Sequence, residues 1–145
     1  MSRERFPVLW LGQVAVVRLP AEIDVTNAGP VGEELLAALN QGAALLIADM
    51  STTTFCDSAG VSAMVRVFRH AATSGRSMRM VVSTPAVQRV LSITGFDRLV
   101  DVFPSIAASL AGPDGQPDRG QPDRGQPDRG RPDSATATAE TDGVA

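Results

Sequence analysis

The residues with the clearest chemical potential lie in one short run, Asp57-Ser58-Ala59-Gly60, flanked by Cys56 and Val61. Ser58 is the one hydroxyl within this turn, because Ala59 stands where a second hydroxyl could have been. A serine can act as a nucleophile only if a base sits beside it. The one histidine is His70, twelve residues further on. If both lie on one helix, the helical rise separates them by about 18 Å. A serine hydrolase is therefore not expected, and no catalytic residue is assigned. Cys56 and His70 are too few to hold a metal, and no phosphate-binding G-x-x-x-x-G-K-[ST] run is present. His70 reads as an ordinary helix residue. What remains for Ser58 is either helix capping, for which serine is well suited, or display of its hydroxyl to an enzyme that modifies it.

The elements around the turn decide how it is presented. Val8–Leu11 and Val14–Leu19 are short β-branched runs parted by Gly12-Gln13 and read as a hairpin, ended by Pro20. Ala21 to Asp24 reads as a connecting loop. Asp24, Thr26 or Asn27 is placed to cap a helix whose inner face is Ala28, Val31, Leu35 and Leu39, with Pro30 in its first turn and a stop at Asn40-Gln41-Gly42. Ala44–Ala48 is a continuous apolar run, the pattern of a strand buried on both faces, ended by Asp49. After the polar Ser51–Thr54 loop, Phe55-Cys56 returns toward the core. Ser58 is then the expected N-cap of a second helix, with Gly60 allowing close approach of another backbone.

That helix carries Val61, Met64, Val65, Phe68 and Ala72 as its apolar stripe and Ser62, Arg66, Arg69 and Thr73 outward, and Gly75 stops it. Arg66 and Arg69 read as a solvated face beside the turn that can guide an acidic partner. Met78–Val82 is a further strand. Thr84 and Pro85 open a third helix with Val87, Val90 and Leu91 inward and Gly95 as its stop. Leu99–Phe103 is a last strand, and a final helical segment runs from Pro104 to Leu110. The order β-β-α-β-α-β-α-β-α predicts an α/β fold with a partly parallel sheet of four to five strands packed against about four helices.

Composition divides the chain. Residues 1–111 are expected to form one domain, formally neutral with nine acidic side chains and nine arginines. Residues 112–145 carry seven acidic residues and four arginines, and so supply the net charge of −3. They read as a disordered low-complexity tail: Gly-Gln-Pro-Asp-Arg stands at 115–119, 120–124 and 125–129, followed by a degenerate copy at 130–134. A neutral domain gives no footprint for direct nucleic-acid binding. The absence of a membrane-length apolar stretch, of a signal-peptide core after Met1, and of any second cysteine to pair with Cys56 points to a cytoplasmic protein with no membrane partner.

Three stretches together resemble the STAS domain family, and within it the anti-sigma-factor antagonists of bacteria. Leu45-Leu-Ile-Ala-Asp49 followed by Phe55-Cys-Asp57-Ser58-Ala-Gly60-Val resembles the family's buried strand, polar loop and D-S-x-G-L-like turn. Pro20-Ala-Glu22-Ile-Asp24 resembles its G-E-L/I-D element, and Val90–Leu99 with Val102-Phe103 its later helix and final strand. The likeness spans about residues 8–111. It departs at Ala21, where glycine normally opens the acidic element, at Ala59, where serine or threonine is frequent, and at Val61 in place of leucine.

The resemblance implies a STAS-type fold and a non-enzymatic binding switch. Its partner is an anti-sigma factor that is itself a serine kinase. Binding releases the sigma factor for transcription, phosphorylation of the serine matching Ser58 ends binding, and a PP2C-type phosphatase restores it. Asp24 and Asp57 match acidic positions around that serine. The partner-binding surface implied is Asp24, Asp57, Ser58, Ala59, Gly60, Ser62 and Arg66, with no cofactor and no metal. Other family roles remain open: an accessory subunit of a lipid transporter, a signalling scaffold, or a domain binding a nucleotide or another small ligand.

Overall fold

The Gly12-Gln13 pair turns the chain back on itself with no residue to spare. In the computed structural model, which describes residues 6–111, Leu11 of β1 (Val8–Leu11) stands opposite Val14 of the antiparallel β2 (Val14–Arg18). Gly12 takes a φ of 61°, the left-handed region that tight hairpin turns require and side chains disfavour. The chain continues through β3 (Glu22–Ile23), α1 (Ala28–Asn40), β4 (Leu45–Met50), β5 (Phe55–Cys56), α2 (Ser58–Thr73) and β6 (Ser77–Val82). It ends with α3 (Pro85–Thr94), a 3₁₀ turn at Phe96–Arg98, β7 (Asp101–Phe103) and α4 (Ile106–Ala111). The expected tail at 112–145 lies outside the described residues.

Five strands form one sheet in the order β1-β2-β4-β6-β7, with β1 antiparallel and the others mutually parallel. Successive residues of a strand point to opposite faces, so each buried strand feeds two cores. Ala15, Val17, Leu46, Ala48, Met78, Met80 and Val82 pack against Val31, Leu35 and Leu39 of α1, Met64 and Val67 of α2, and Val87 and Leu91 of α3. On the other face Val16, Leu45, Ile47 and Val81 meet Ile106 and Leu110 of α4. Each fully buried aliphatic side chain contributes about 1.5–3 kcal/mol. Arg79, buried on the α4 face, donates from Nη1 to the Ser109 carbonyl at 2.6 Å and lies 5.7 Å from the Phe103 ring centre. A cation at the carbonyl end of a helix is favourably placed, and here it ties α4 to the sheet.

Several expectations shift. Glu22-Ile23 is a two-residue strand and not a loop, paired with β5 in a separate small sheet. Asp49 does not end β4, which runs on to Met50. The Asp49 carboxylate is buried, accepting from the Ser51 N–H at 2.9 Å with Arg18 Nε 3.8 Å away. The α2 stripe passes through Val61, Met64, Val67 and Ala71, leaving Ala72 exposed and Val65 and Phe68 half-buried. Adjacent apolar residues at 67 and 68 admit either stripe, and packing selects the first. Phe68 instead meets Phe96 edge-on at 6.0 Å. The final strand begins at Asp101 rather than Leu99, because Gly95 at φ 82° turns the chain so that Phe96 enters the core and a 3₁₀ turn follows.

Candidate functional site

The small sheet builds the site. Ile23 pairs with Cys56, and the Asp57 N–H continues the ladder by donating to the Ile23 carbonyl at 3.1 Å. Asp24 and Asp57, the next residues of two parallel strands, therefore emerge side by side. Each then starts a different helix. Asn27 holds the N-cap position of α1, but its amide does not cap: Oδ1 accepts from the Asp24 N–H at 2.9 Å and Nδ2 donates to the Glu22 carbonyl at 2.8 Å. It braces the end of β3. Asp24 Oδ1 accepts from both the hydroxyl and the N–H of Thr26, at 2.5 and 2.9 Å.

Those bonds favour the charged form of the carboxylate. The Thr26 hydroxyl first, and its N–H second, hold the Asp24 carboxyl below its ordinary value. A depressed folded-state value means that the associated stability is complete above the ordinary carboxylate range and is lost as pH falls through the lower value. Asp24 should accordingly titrate below the ordinary aspartate value when followed by carboxyl-carbon NMR, and Thr26→Val should move it upward. An Asp24 titration unchanged by Thr26→Val would refute this account of the loop.

Asp57 is extended, with φ −98° and ψ −172°, and its Oδ1 accepts from the Gly60 N–H at 3.1 Å. The N-cap of α2 is therefore Asp57, and the expectation that Ser58 caps the helix is corrected. Serine and aspartate cap equally well, and the backbone conformation decides between them. Ser58 becomes the first helical residue. It is exposed, and its hydroxyl has no hydrogen-bond partner among the described residues. Ala59 is half-buried. Gly60 is buried, and what comes close to it is not backbone, as expected, but two side chains: a methyl group there would stand 2.6 Å from Cys56 Sγ and 2.8 Å from Ile23 Cγ2. Burial first, and the neighbouring Asp57 charge second, push the Cys56 thiol up to about 11. It is a neutral packing group at physiological pH.

Ser58 and Ser62, one turn apart, share an open groove of about 320 Å³ with Val61, Val65, Thr94, Gly95, Phe96 and Leu99. The far wall, from α3 and the 3₁₀ turn, is absent from the residues expected of the site. Ile93 and Leu99, apolar yet exposed, are the sequence features that mark it. Val25 and Phe55, beside the two aspartates in sequence, are also exposed. Arg66 does not line this groove: its guanidinium lies over Gly32 of α1. Among the described residues, no cluster of three histidine, cysteine, aspartate or glutamate side chains could hold a metal ion, and no helix is long and apolar enough to cross a membrane.

The family model of the STAS domain matches residues 9–109. The chain belongs to the STAS domain family. Solved structures share its architecture. An anti-sigma factor antagonist from Mycobacterium paratuberculosis superposes with a TM-score of 0.68 at 22% identity, over 74% of this chain and 91% of that one. The anti-sigma factor antagonist SpoIIAA in its unphosphorylated form gives 0.63 at 19% identity, over 74% and 94%. The phosphorylated form of the Bacillus cell-fate determinant SpoIIAA gives 0.57 at 18%, over 73% and 96%. At these identities the likeness establishes the fold of this STAS domain and not the chemistry of its site.

Proposed function

We propose that this STAS protein is an anti-sigma factor antagonist whose binding is switched by phosphorylation of Ser58. In this reading it docks on a cytoplasmic anti-sigma factor that is also a serine kinase and displaces the sigma factor. It is released when the kinase phosphorylates Ser58 and is reset by a PP2C-type phosphatase. It neither touches nucleic acid nor catalyses a reaction, and it uses no cofactor.

The observation that carries the proposal is the freedom of the Ser58 hydroxyl. Because Asp57 takes over the capping bond, Ser58 has no structural duty and stands exposed at a helix start. That position tolerates an added anion, since the first N–H groups of a helix and its dipole favour negative charge. The apolar groove wall and exposed Val25, Phe55, Ile93 and Leu99 supply the uncharged surface a protein partner buries around it. Two members of the same fold family that are 22% or less identical to this chain are named as anti-sigma factor antagonists, and one is described in both forms of such a switch.

The test is to incubate the full chain with ATP and each anti-sigma kinase of the source organism, then map phosphate by mass spectrometry. One phosphate on Ser58, abolished in Ser58→Ala, is expected. Modification by none of the kinases would reject the proposal and favour a scaffold or a transporter accessory role.

A further inference from the structure

The large exposed apolar side chains fall into two groups. One, among the described residues, is Val25, Phe55, Ile93 and Leu99, of which Leu99 lines the groove with Ser58. The other is all of β1: Val8, Leu9, Trp10 and Leu11 are 38, 54, 38 and 42% exposed. Nothing in the groove beside Ser58 involves them. They leave on the order of 350 Å² of apolar surface uncovered, as large as the biggest patch on many monomers.

β1 is also the edge of the main sheet. Edge strands are normally blunted by charge, proline or brevity. The opposite edge, β7, follows that rule: it has three residues, begins with Asp101 and is followed by Pro104. β1 has four residues, all apolar and uncharged; Pro7 precedes it, but the Pro7 position faces β2, so its missing N–H does not blunt the open edge. Its hydrogen-bonding register can be read from the hairpin. The Arg18 N–H donates to the Pro7 carbonyl at 3.0 Å, so Pro7–Arg18 is a hydrogen-bonded position of the antiparallel ladder. Such positions alternate, which makes Leu9–Val16 and Leu11–Val14 hydrogen-bonded too. The N–H and C=O groups of Leu9 and Leu11 point to β2, and those of Val8 and Trp10 point outward.

We infer that β1 pairs with β1 of a second copy of this chain, antiparallel about a twofold axis at Leu9, joining two sheets into one. The outward groups lie two residues apart, so a twofold through Leu9 sets Val8 against the partner's Trp10 and Trp10 against the partner's Val8. Both are hydrogen-bonded positions, and every outward N–H and C=O of Val8 and Trp10 finds a partner. On the α1 face, where Val8 and Trp10 border a groove with Phe6, Ala37 and Gln41, the indole lies across the partner's Val8. On the α4 face, Leu9, next to Val16 and Ile106, meets the partner's Leu9. Twice the apolar patch of one copy is at most about 700 Å², under the roughly 1,000 Å² that a stable specific interface clears. The dimer is thus weak and concentration-dependent. Self-pairing is favoured over a foreign strand because the twofold sets the outward groups of β1 in register with themselves and neither strand carries a charged side chain, Glu34 lying beyond the strand on the α1 side of the groove. The inference is independent of the role of Ser58.

Trp10 is the one tryptophan of the chain and reports on its own burial. Sedimentation equilibrium of the full chain from micromolar to millimolar concentration should show reversible dimers. Tryptophan emission should move to shorter wavelength along the same isotherm. Leu9→Lys places two ammonium groups face to face at the axis and should weaken the dimer at least tenfold. Val8→Pro removes an outward donor and no hydrogen bond between β1 and β2, and should also weaken the dimer, with the melting temperature of the dilute monomer measured alongside to show that the variant is folded. A chain that stays monomeric throughout overturns the inference. So does a dimer that either folded variant leaves unaltered, or one that forms with no change in Trp10 emission. A blue shift seen only when another protein is added would assign the edge to a foreign strand, and would equally overturn self-pairing.

Discussion

If the function proposed above holds, phosphorylation of Ser58 should lower affinity for the proposed anti-sigma kinase by about a hundredfold, and Ser58→Asp by about tenfold, with the melting temperature of the protein unchanged. The two halves of this expectation have separate causes. Stability is preserved because Ser58 is exposed and its hydroxyl is bonded to none of the described residues, so adding to it breaks no hydrogen bond among them. The new charge meets the N-terminal end of α2, where the free N–H groups of Ser58 and Ala59 offset repulsion from Asp57, whose carboxylate already caps Gly60. In the proposed function affinity falls because phosphate adds about −1.5 to −2 charges where a kinase that modifies Ser58 would have to bring its catalytic carboxylate and nucleotide phosphates. At about 4–5 Å and an effective dielectric of about 20, each pair of like unit charges costs about 3–4 kcal/mol before screening. Part of that cost is relieved by ions and by movement of the docked surfaces.

Charge and bulk are distinguishable. A Coulombic penalty shrinks as salt shortens the Debye length, so the gap between Ser58 and Ser58→Asp should narrow from low to high ionic strength. The gap for a neutral, larger residue such as Ser58→Gln should not. Isothermal titration at several salt concentrations measures both. Equal affinity of the parent and the phosphorylated form would remove the switch from this protein, whatever its partner.

How much of this was legible beforehand depended on the length of the signal. The run Ala44–Ala48 is long and apolar enough to announce a central strand, and β4 is buried at every position. Gly95 stops α3 where expected, in the left-handed conformation. Signals two residues long carry no period. Glu22-Ile23 and Phe55-Cys56 cannot show alternation, yet their pairing is what brings Asp24 to Asp57. The cap of α2 was ambiguous for a different reason: Asp57 and Ser58 are adjacent and equally suited, and the choice rests on an extended Asp57 that no side-chain rule dictates. The far wall of the groove, Thr94, Gly95 and Leu99, lies within the stretch that resembles the family's later helix, but nothing in that resemblance marks it as part of the site. Its trace in the sequence is two apolar residues outside the buried stripe, Ile93 near the end of α3 and Leu99 after the 3₁₀ turn. The same kind of trace, an uncharged edge strand, underlies the pairing inferred for β1. Both surfaces are apolar residues that the fold has no use for.

Gly60→Ala should be among the most damaging small substitutions in the domain, and Gly32→Ala should be nearly neutral. Both replace glycine within a helix, and both gain up to about 1 kcal/mol of helix propensity. They differ in what the new methyl meets. At Gly32 it meets the guanidinium of Arg66, the far end of an exposed and flexible side chain, which can move into solvent at little cost. At Gly60 it meets Cys56 Sγ at 2.6 Å and Ile23 Cγ2 at 2.8 Å, and both side chains are buried in the main core. Neither can leave without opening the pairing of β3 with β5. Overpacking of this kind costs about 1–3 kcal/mol. For a domain of this size each kcal/mol lowers the melting temperature by about 4–8 °C, so a fall of roughly 5–15 °C is expected in calorimetry. The strain also reaches the site, because spreading β3 from β5 separates Asp24 from Asp57. Kinase-catalysed phosphorylation should therefore slow in Gly60→Ala below the parent's melting range, although the Ser58 hydroxyl is untouched. Cys56→Ala supplies the internal check. Alone it removes buried volume and destabilises; combined with Gly60→Ala it vacates the space the methyl needs, so the double variant should be more stable than the sum of the single effects predicts. Simple additivity, or a Gly60→Ala protein that melts with the parent, would mean that the close contact among Gly60, Cys56 and Ile23 is not what holds the serine turn in place.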